Sequence, residues 1–309
     1  MPDTYEGAPL FTTIFLSVVV KLGLFFVLVK VLCACCVVVD PLLGGVGLCA
    51  APRLLLAVGG LFSMFFGGFG ALFQNRLKRL LAYSSIGNLG FALCGLTSVG
   101  VGGLASSITY MLVYSFSMLL LFTVVVKYRA GRGVGRTSSA RYSVVFVTDV
   151  SRLLESGPYV GRVRPYIFIS TLFSLAGIPP LAGFWAKYFV LESLVLKGGY
   201  LGLGLAAFAF GYSVLASFYY LNLIRLACHT RASYGVAPEE KAGRALLLAG
   251  LVPFRADCLR VSAQMVCWST VLYGWVVLPQ QFYRVVSGGL GPDLLLLNPL
   301  FQASASPLF

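Results

Sequence analysis

Two lysines stand inside long apolar runs of this sequence. Lys21 lies within the first run, residues 10–37, and Lys187 lies within the fifth, residues 166–196. An ammonium at the centre of a bilayer costs at least about 2.5–3.5 kcal/mol. Because burial disfavours the charged form of an amine, a lysine so placed can bind and release protons. The alternative is a lysine fixed by an ion pair or by backbone carbonyls, but two lysines among few acids favour a proton or ion path.

Two other charged residues fall in the same runs. Lys30 lies nearer the end of the first run, where its long side chain can reach the membrane surface. Glu192 follows Lys187 by five positions, so the two do not share a helix face by the i+4 rule. We keep both as candidates for proton translocation, with an interfacial position as the alternative for Glu192.

The fifth run is interrupted by residues that break helices. Pro179 and Pro180 remove backbone donors, and Gly177 and Gly183 loosen the chain around them. A broken backbone at membrane depth is tolerated where it lines a cavity or is buried in protein, and transporters use such breaks at ion sites. A simple proline kink is the alternative. The nearby Lys187 favours a hinge at an ion site.

The third run opens with polar side chains that face the membrane interior. These are Tyr83, Ser84, Ser85 and Asn88. Their hydroxyl and amide groups are suited to a chain of water molecules, and they are equally suited to hydrogen bonding between packed helices. The residues alone do not separate these two interpretations.

The composition defines the class of protein that holds these residues. Of the 309 residues, 59% are hydrophobic and 11% are charged, whereas soluble domains carry about 25% charged residues. Several runs exceed the length of about 18 residues that a spanning helix needs. We predict an all-α integral membrane protein of about seven transmembrane helices, one of them discontinuous. The predicted spans are 10–37, 54–73, 80–97, 104–126, 166–196 (broken at 177–184), 201–227 and 261–286.

Basic residues are concentrated on one side of these spans. The net charge is +13, and most lysines and arginines fall in the loops around 76–79, 127–165 and 225–260. Positive charge marks the cytoplasmic or matrix side of a membrane, so we predict the N-terminus there and the C-terminal tail, 287–309, on the other side. The charge therefore does not indicate nucleic acid. Within the loop 127–165 the segment 140–156 predicts an amphipathic surface helix.

The cysteines and the histidine do not predict a metal site. Cys33, Cys35 and Cys36 fall late in an apolar helix without the spacing or the histidine partner of a metal centre. Small packing residues are the simpler interpretation. His229 lies beside a basic loop and is interpreted as a surface residue. The first twenty residues contain no arginine, so we do not expect a transit peptide.

Three segments resemble one known family, the antiporter-like subunit 2 of NADH–ubiquinone oxidoreductase, respiratory complex I. They are the opening Pro2–Pro9 with Lys21 behind it, the LLAYSSI helix starting at Leu80, and the broken helix from Ser174 to Lys187. The resemblance implies that Lys21 is the central lysine of the membrane mid-plane and that Lys187 belongs to the exit half-channel. It makes residues 1–9 a matrix-side loop.

The sequence departs from the family pattern in two ways. The family usually has histidine where this chain has Asn88, and asparagine cannot titrate, so a relay there needs water. The chain also resembles only the C-terminal half of the subunit, an antiporter-like half-bundle. The resemblance implies that the missing half carries an essential glutamate and a second broken-helix lysine. We expect a separate chain to supply it.

The resemblance also implies a function. It indicates a proton-translocating membrane-arm subunit of NADH:ubiquinone oxidoreductase in the mitochondrial inner membrane, with the N-terminus in the matrix and the C-terminus in the intermembrane space. The alternative location is the bacterial plasma membrane. The chain would itself bind no cofactor, since NADH, FMN, iron–sulfur clusters and ubiquinone belong to other subunits. Expected partners are other membrane-arm subunits and structural lipids. The alternatives are a subunit of a multi-chain cation/proton antiporter and a structural remnant that does not pump.

Overall fold

The computed structural model describes residues 2–39, 50–98, 101–132, 163–179 and 181–233 of the chain. Every continuous regular element in these ranges is helical, as the composition predicts. In chain order the helices are α1 (Pro2–Gly7), α2 (Leu10–Phe15), a π-helix (Leu16–Val20), α3 (Lys21–Val39), α4 (Ala50–Leu72), α5 (Leu77–Leu96), α6 (Val101–Arg132), α7 (Val163–Ala176), α8 (Ala182–Lys197) and α9 (Gly199–Ser233).

In the described ranges, four continuous helical stretches, the first of them running from α2 through the π-helix into α3, are long and apolar enough to cross a membrane. The segments are Phe11–Leu32, Pro52–Leu72, Gly102–Val125 and Gly199–Leu226. The first, second and fourth turn most of their surface outward, as lipid-facing helices do, and the third is largely buried. The predicted seventh span, the tail 287–309, and most of the loop 127–165 with its amphipathic segment lie outside the described residues.

Helix α5 is the predicted third span, although it is more polar than the four helices above. Most of its residues are buried, including Ser84, Ser85 and Asn88. It packs against α4 on one side and α6 on another. Since neighbouring helices cover it, its surface meets protein rather than lipid, and this allows polar residues and glycines along its length.

Close packing between α4 and α5 depends on glycines. A side chain on Gly67 would place its first carbon 2.7 Å from the Cα of Gly87. A side chain on Gly60 would similarly approach the carbonyl oxygen of Gly90, at 3.1 Å. Small residues at such crossings let two membrane helices approach to backbone contact. The pair therefore forms a tight unit that carries the polar residues of α5.

The beginning of the first predicted span, together with the residues before it, differs from the prediction in two ways. A π-helical segment, Leu16–Val20, joins α2 to α3 and ends directly before Lys21. Before it, the segment that we expected to be a loop forms the short helix α1. The loop expectation was wrong because Asp3 and Glu6 of α1 pair with arginines at the start of α5 and hold the helix in place.

Candidate functional site: two buried lysines and the polar residues between them

Lys187 lies at the break in the predicted fifth span. Helix α7 ends at Ala176, α8 begins at Ala182, and the Lys187 side chain is buried. Its Nζ atom donates hydrogen bonds to the carbonyl oxygens of Leu175, at 3.1 Å, and Ala176, at 2.9 Å. The lysine of one half-helix thus binds the end of the other.

The local backbone explains why those two carbonyls are free to accept. Gly177 adopts a left-handed conformation, with φ of 83°. In the resulting Schellman-type turn, Ile178 N–H donates to Phe173 O at 3.2 Å and Gly177 N–H donates to Ser174 O at 3.1 Å. The carbonyls of Phe173 and Ser174 are therefore satisfied within the turn. The last two carbonyls of α7 accept hydrogen bonds from the Lys187 ammonium instead. The negative end of the helix dipole also stabilises this positive charge.

A second contact holds the two halves of the break together. The backbone N–H of Gly183 donates to the hydroxyl of Ser174 at 3.3 Å. Gly183 also sits so close to the Ser174 backbone that a side chain would not fit. The glycine that the sequence marks as part of the hinge is therefore a packing requirement at the point where α8 starts beside α7.

Lys21 lies directly after the π-helical segment and is also buried, with 5% of its surface exposed. Its Nζ atom donates a hydrogen bond to the hydroxyl of Ser85 on α5, and that hydroxyl donates to Ala82 O at 2.6 Å. The ammonium also lies 5.5 Å from the centroid of the Tyr5 ring. Among the described residues, neither Lys21 nor Lys187 forms an ion pair with an acid.

Asn88 is the centre of a cluster of buried polar groups between the two lysines. Its Oδ1 atom accepts hydrogen bonds from the hydroxyls of Tyr110, at 2.9 Å, and Tyr212, at 3.4 Å. The Tyr220 hydroxyl lies beside Asn88 and Ser84. Because Ser84 and Asn88 are four residues apart on α5, they share one face of that helix. The cluster therefore begins one residue from Ser85, the partner of Lys21.

A small cavity connects the Asn88 cluster with Lys187. Its size allows about one water molecule. Polar side chains form much of its wall: Asn88, Tyr110, Tyr114, Ser117, Ser174 and Lys187. The polar residues of α5 and α6 thus meet the broken helix at this cavity.

Several buried polar atoms in the cavity wall or in the tyrosine cluster beside Asn88 lack a hydrogen-bond partner within the described part of the chain. They are the Nδ2 atom of Asn88 and the hydroxyls of Tyr114, Tyr219 and Tyr220. Buried groups of this kind are almost always satisfied by protein or by ordered water. The arrangement therefore offers several donors and acceptors for water between the two lysines.

Four predicted site residues fall outside this arrangement or at its edge. The Tyr83 ring packs on Gly70 of α4 rather than facing Asn88. Lys30 and Glu192 are exposed on the outer surface of the bundle, and Glu192 does not pair with Lys187. Pro179 is exposed in the turn after α7, while Pro180 and the side chains of Cys33, Cys35 and Cys36 lie outside the described residues.

The tyrosines are the functional candidates that the sequence reasoning missed. Tyr110, Tyr114 and Ser117 follow each other at spacings of four and three residues on α6, so they share one face. Tyrosine in the middle of a span, rather than at the membrane surface where it is common, was the available signal. Tyr5 gave no comparable signal, because only the tertiary fold brings it to Lys21.

The fold and the site together define a class of protein: a multi-pass helical membrane protein with a broken helix and buried lysines in a polar interior. A family model described as NADH:quinone oxidoreductase/Mrp antiporter, transmembrane, matches residues 1–213. The chain belongs to this family, and the resemblance seen in its three motifs is confirmed.

Curated relatives and solved structures agree with this assignment. NADH-quinone oxidoreductase subunit N of Pelagibacter ubique is 34% identical over 225 residues, which are 73% of this chain and 42% of the relative. Subunit N 2 of Rhizobium meliloti is 35% identical over 72% of this chain and 41% of its own length. This chain therefore spans less than half the length of these curated relatives.

Solved structures share the fold at low sequence identity. The archaeal membrane-bound sulfane sulfur reductase complex contains a chain with a TM-score of 0.70 and 20% identity, covering 97% of this chain and 53% of that one. Respiratory complex I from Thermus thermophilus gives 0.62 and 24%, covering 91% and 52%. The Mrp complex from Dietzia sp. gives 0.57 and 20%, covering 82% and 49%.

Proposed function

We propose that this chain forms part of a membrane-arm subunit of NADH:quinone oxidoreductase and moves protons between Lys21 and Lys187. The observation that carries the proposal is the set of buried polar groups near two ammonium groups that lack an acidic partner in the described structure. The family and its subunit N relatives support the assignment to the respiratory complex.

The chemistry of the intervening residues suits proton transfer. Serine and tyrosine hydroxyls each donate one hydrogen bond and accept others, so they can receive a proton on one side and release another on the opposite side. Asn88 does not titrate and instead orients Tyr110 and Tyr212 toward one point. We propose that water bridges Asn88 and Lys187 through the cavity. Proton exchange would then run from Lys21 through Ser85, Ser84 and Tyr220, and from there through water held beside Asn88 to Lys187.

Replacing each lysine by methionine in the intact complex tests this proposal. Methionine keeps a long flexible side chain and removes the exchangeable proton. We expect Lys21→Met and Lys187→Met to lower proton pumping per electron transferred in reconstituted liposomes. Lys30→Met is the matched control, because Lys30 is exposed on the outer surface. Unchanged pumping in both buried-lysine variants would reject the path and favour a subunit that only supports the membrane arm.

A cation/proton antiporter subunit is the second candidate. The family model covers both kinds of complex, and the fold is similar to that of the Mrp complex. Purification distinguishes the two: recovery with flavin- and iron–sulfur-containing subunits supports the respiratory complex. Recovery without them, together with sodium-dependent proton exchange, supports the antiporter.

The proposal also includes the cellular setting and the rest of the subunit. We propose the mitochondrial inner membrane, with the basic loops on the matrix side and the C-terminal tail in the intermembrane space; the relatives named above are bacterial, so fractionation is the test. The remaining length of a subunit N relative would come from polypeptide outside this sequence. A separate chain with the N-terminal half stays a prediction, which sequencing of the purified membrane subunits checks. We also propose that NADH, FMN, iron–sulfur clusters and ubiquinone bind other subunits.

A further inference from the structure

Tyr5 turns its side chain into the bundle although its neighbours on α1 face outward. Its exposed fraction is 2%, whereas Asp3 and Thr4 are exposed. The buried Tyr5 ring lies beside Lys21, whose Nζ atom donates to Ser85.

The Tyr5 ring adds a cation–π contact to the hydrogen bond that Lys21 forms with Ser85. The ammonium donates to Ser85, and the face of the Tyr5 ring lies 5.5 Å away, within the range of a cation–π interaction. Lys187 differs because two backbone carbonyls bind it. Of the two buried lysines, Lys21 is thus the one that has a cation–π contact among the described residues.

The neighbouring residue fixes the position of this ring. Glu6 forms ion pairs with Arg76 and Arg79 at the start of α5. The chain after it is held by Lys78, whose Nζ atom donates to Ala8 O at 2.9 Å. The backbone next to the ring is therefore held against the basic end of α5.

We propose that Tyr5 is a positioning residue for Lys21: its ring holds the ammonium on Ser85 and shields it from the aqueous side that carries Arg76 and Arg79. The inference rests on the proposed function, since it assigns Tyr5 a role in setting when Lys21 exchanges protons. It concerns the access of solvent to Lys21, which is measurable without proton pumping.

Chemical labelling of the intact complex in liposomes tests this role. A membrane-impermeant amine reagent is added, and acylation of Lys21 and Lys187 is followed by peptide mass spectrometry. We expect Tyr5→Ala to raise the labelling rate of Lys21 about tenfold, as the ring and its cation–π contact are lost. Tyr5→Phe keeps the ring and is expected to stay near the wild-type rate. Tyr200→Ala is the matched control, since Tyr200 is fully exposed on α9.

The labelling of Lys187 separates local access from general loosening. We expect it to be equal in all four proteins. Unchanged Lys21 labelling in Tyr5→Ala, or a parallel rise at both lysines, would overturn the proposal. If Tyr5→Ala does not assemble, Glu6→Gln takes its place, because it removes the ion pairs with Arg76 and Arg79 next to the ring. An unchanged labelling rate of Lys21 in that variant also overturns the proposal. Normal pumping by Lys21→Met with ring-dependent labelling would reject only the proposed function.

Discussion

The Nζ atom of Lys187 lies 2.9 Å from the carbonyl oxygen of Ala176, the last residue of α7. A hydrogen bond from a charged donor is about twice as strong as one between neutral groups. Lys187 belongs to α8, so this bond joins the two halves of the broken helix. Its donor is the Lys187 ammonium, the group that we propose exchanges protons. Substitution or deprotonation of Lys187 therefore alters a hydrogen bond at the end of α7.

Substitution of Gly177 tests whether the turn after α7 needs its left-handed conformation. Alanine at a φ of 83° costs roughly 1–2 kcal/mol, and its Cβ would lie 2.9 Å from the Lys187 Cδ atom. We expect Gly177→Ala to lower the thermal stability of the purified complex and its proton pumping. Gly211→Ala is the control, because nothing lies within 4 Å of that position on α9. Equal thermal stability in the two variants would contradict the explanation.

Replacement of Asn88 tests the polar junction. Asn88→Leu keeps the branched shape of the side chain but leaves the buried Tyr110 hydroxyl without its acceptor, at a cost of about 1–3 kcal/mol. We expect lower stability and a lower ratio of protons pumped to electrons transferred. Asn222→Leu is the control, since Asn222 is exposed on α9. The same pumping ratio in both variants would show that protons do not pass Asn88.

Removal of the Ser85 hydroxyl tests the hydrogen bond that holds Lys21. Ser85→Ala leaves the ammonium without its side-chain acceptor, and hydrogen bonds to charged groups contribute about 1.5–3 kcal/mol. We expect slower proton uptake together with a lower unfolding temperature. Ser213→Ala removes an exposed hydroxyl that bonds only to its own helix. Its uptake rate and unfolding temperature should match the wild type, and Ser85→Ala should differ from both.

The ion pairs between α1 and α5 give a prediction about salt. Glu6 is the more buried acid, with 17% of its side chain exposed, whereas that of Asp3 is 82% exposed. Glu6→Gln should therefore destabilise the protein more than Asp3→Asn, by up to about 1 kcal/mol. High ionic strength should weaken the effect of Asp3→Asn more than that of Glu6→Gln, because salt screens exposed charges more than buried ones. Thermal unfolding at low and high salt measures both effects. A larger destabilisation by Asp3→Asn than by Glu6→Gln would contradict the prediction.

Tyr5 gives a prediction about alkaline pH. Burial raises the pKa of Tyr5 to about 12, although the neighbouring Ser85 side chain opposes the shift. An acid whose pKa is raised on folding stays protonated in the native protein, so the unfolded chain loses its proton first as pH rises above about 10. This contribution to stability is complete below pH 10 and declines toward pH 12. We expect Tyr5→Phe to lose less stability than the wild type across this range; parallel pH profiles would contradict the prediction.

The sequence predicted the parts of the site that depend on local chemistry. A lysine inside an apolar run and a double proline between glycines are conspicuous because membranes make both costly. The sequence did not predict the partners of these residues, because contacts such as that of Lys21 with Ser85 join positions 64 residues apart. The sequence also could not separate Tyr83 from Ser84 and Ser85. Successive residues point about 100° apart around a helix, and only the neighbours of α5 determine which direction leads to Asn88.

The same limit explains the difference at α1. Its six residues are too few to be stable as an isolated helix, and the loop expectation came from the family resemblance. Ion pairs with arginines seventy or more positions away stabilise the helical form. Lys30 and Glu192 illustrate the opposite case: their charge in an apolar run suggested a role in the path, but the fold places them on the outer surface.

The π-helical segment Leu16–Val20 sets the direction in which Lys21 points. A π turn contains one more residue than an α turn, so the segment acts as a single-residue insertion in this helix. If the same five residues continued as a regular α-helix, every earlier residue would rotate by about 100° relative to Lys21. The π turn absorbs that rotation, so the direction of Lys21 relative to the residues before it is set by a change of helix type in a segment that carries no charge.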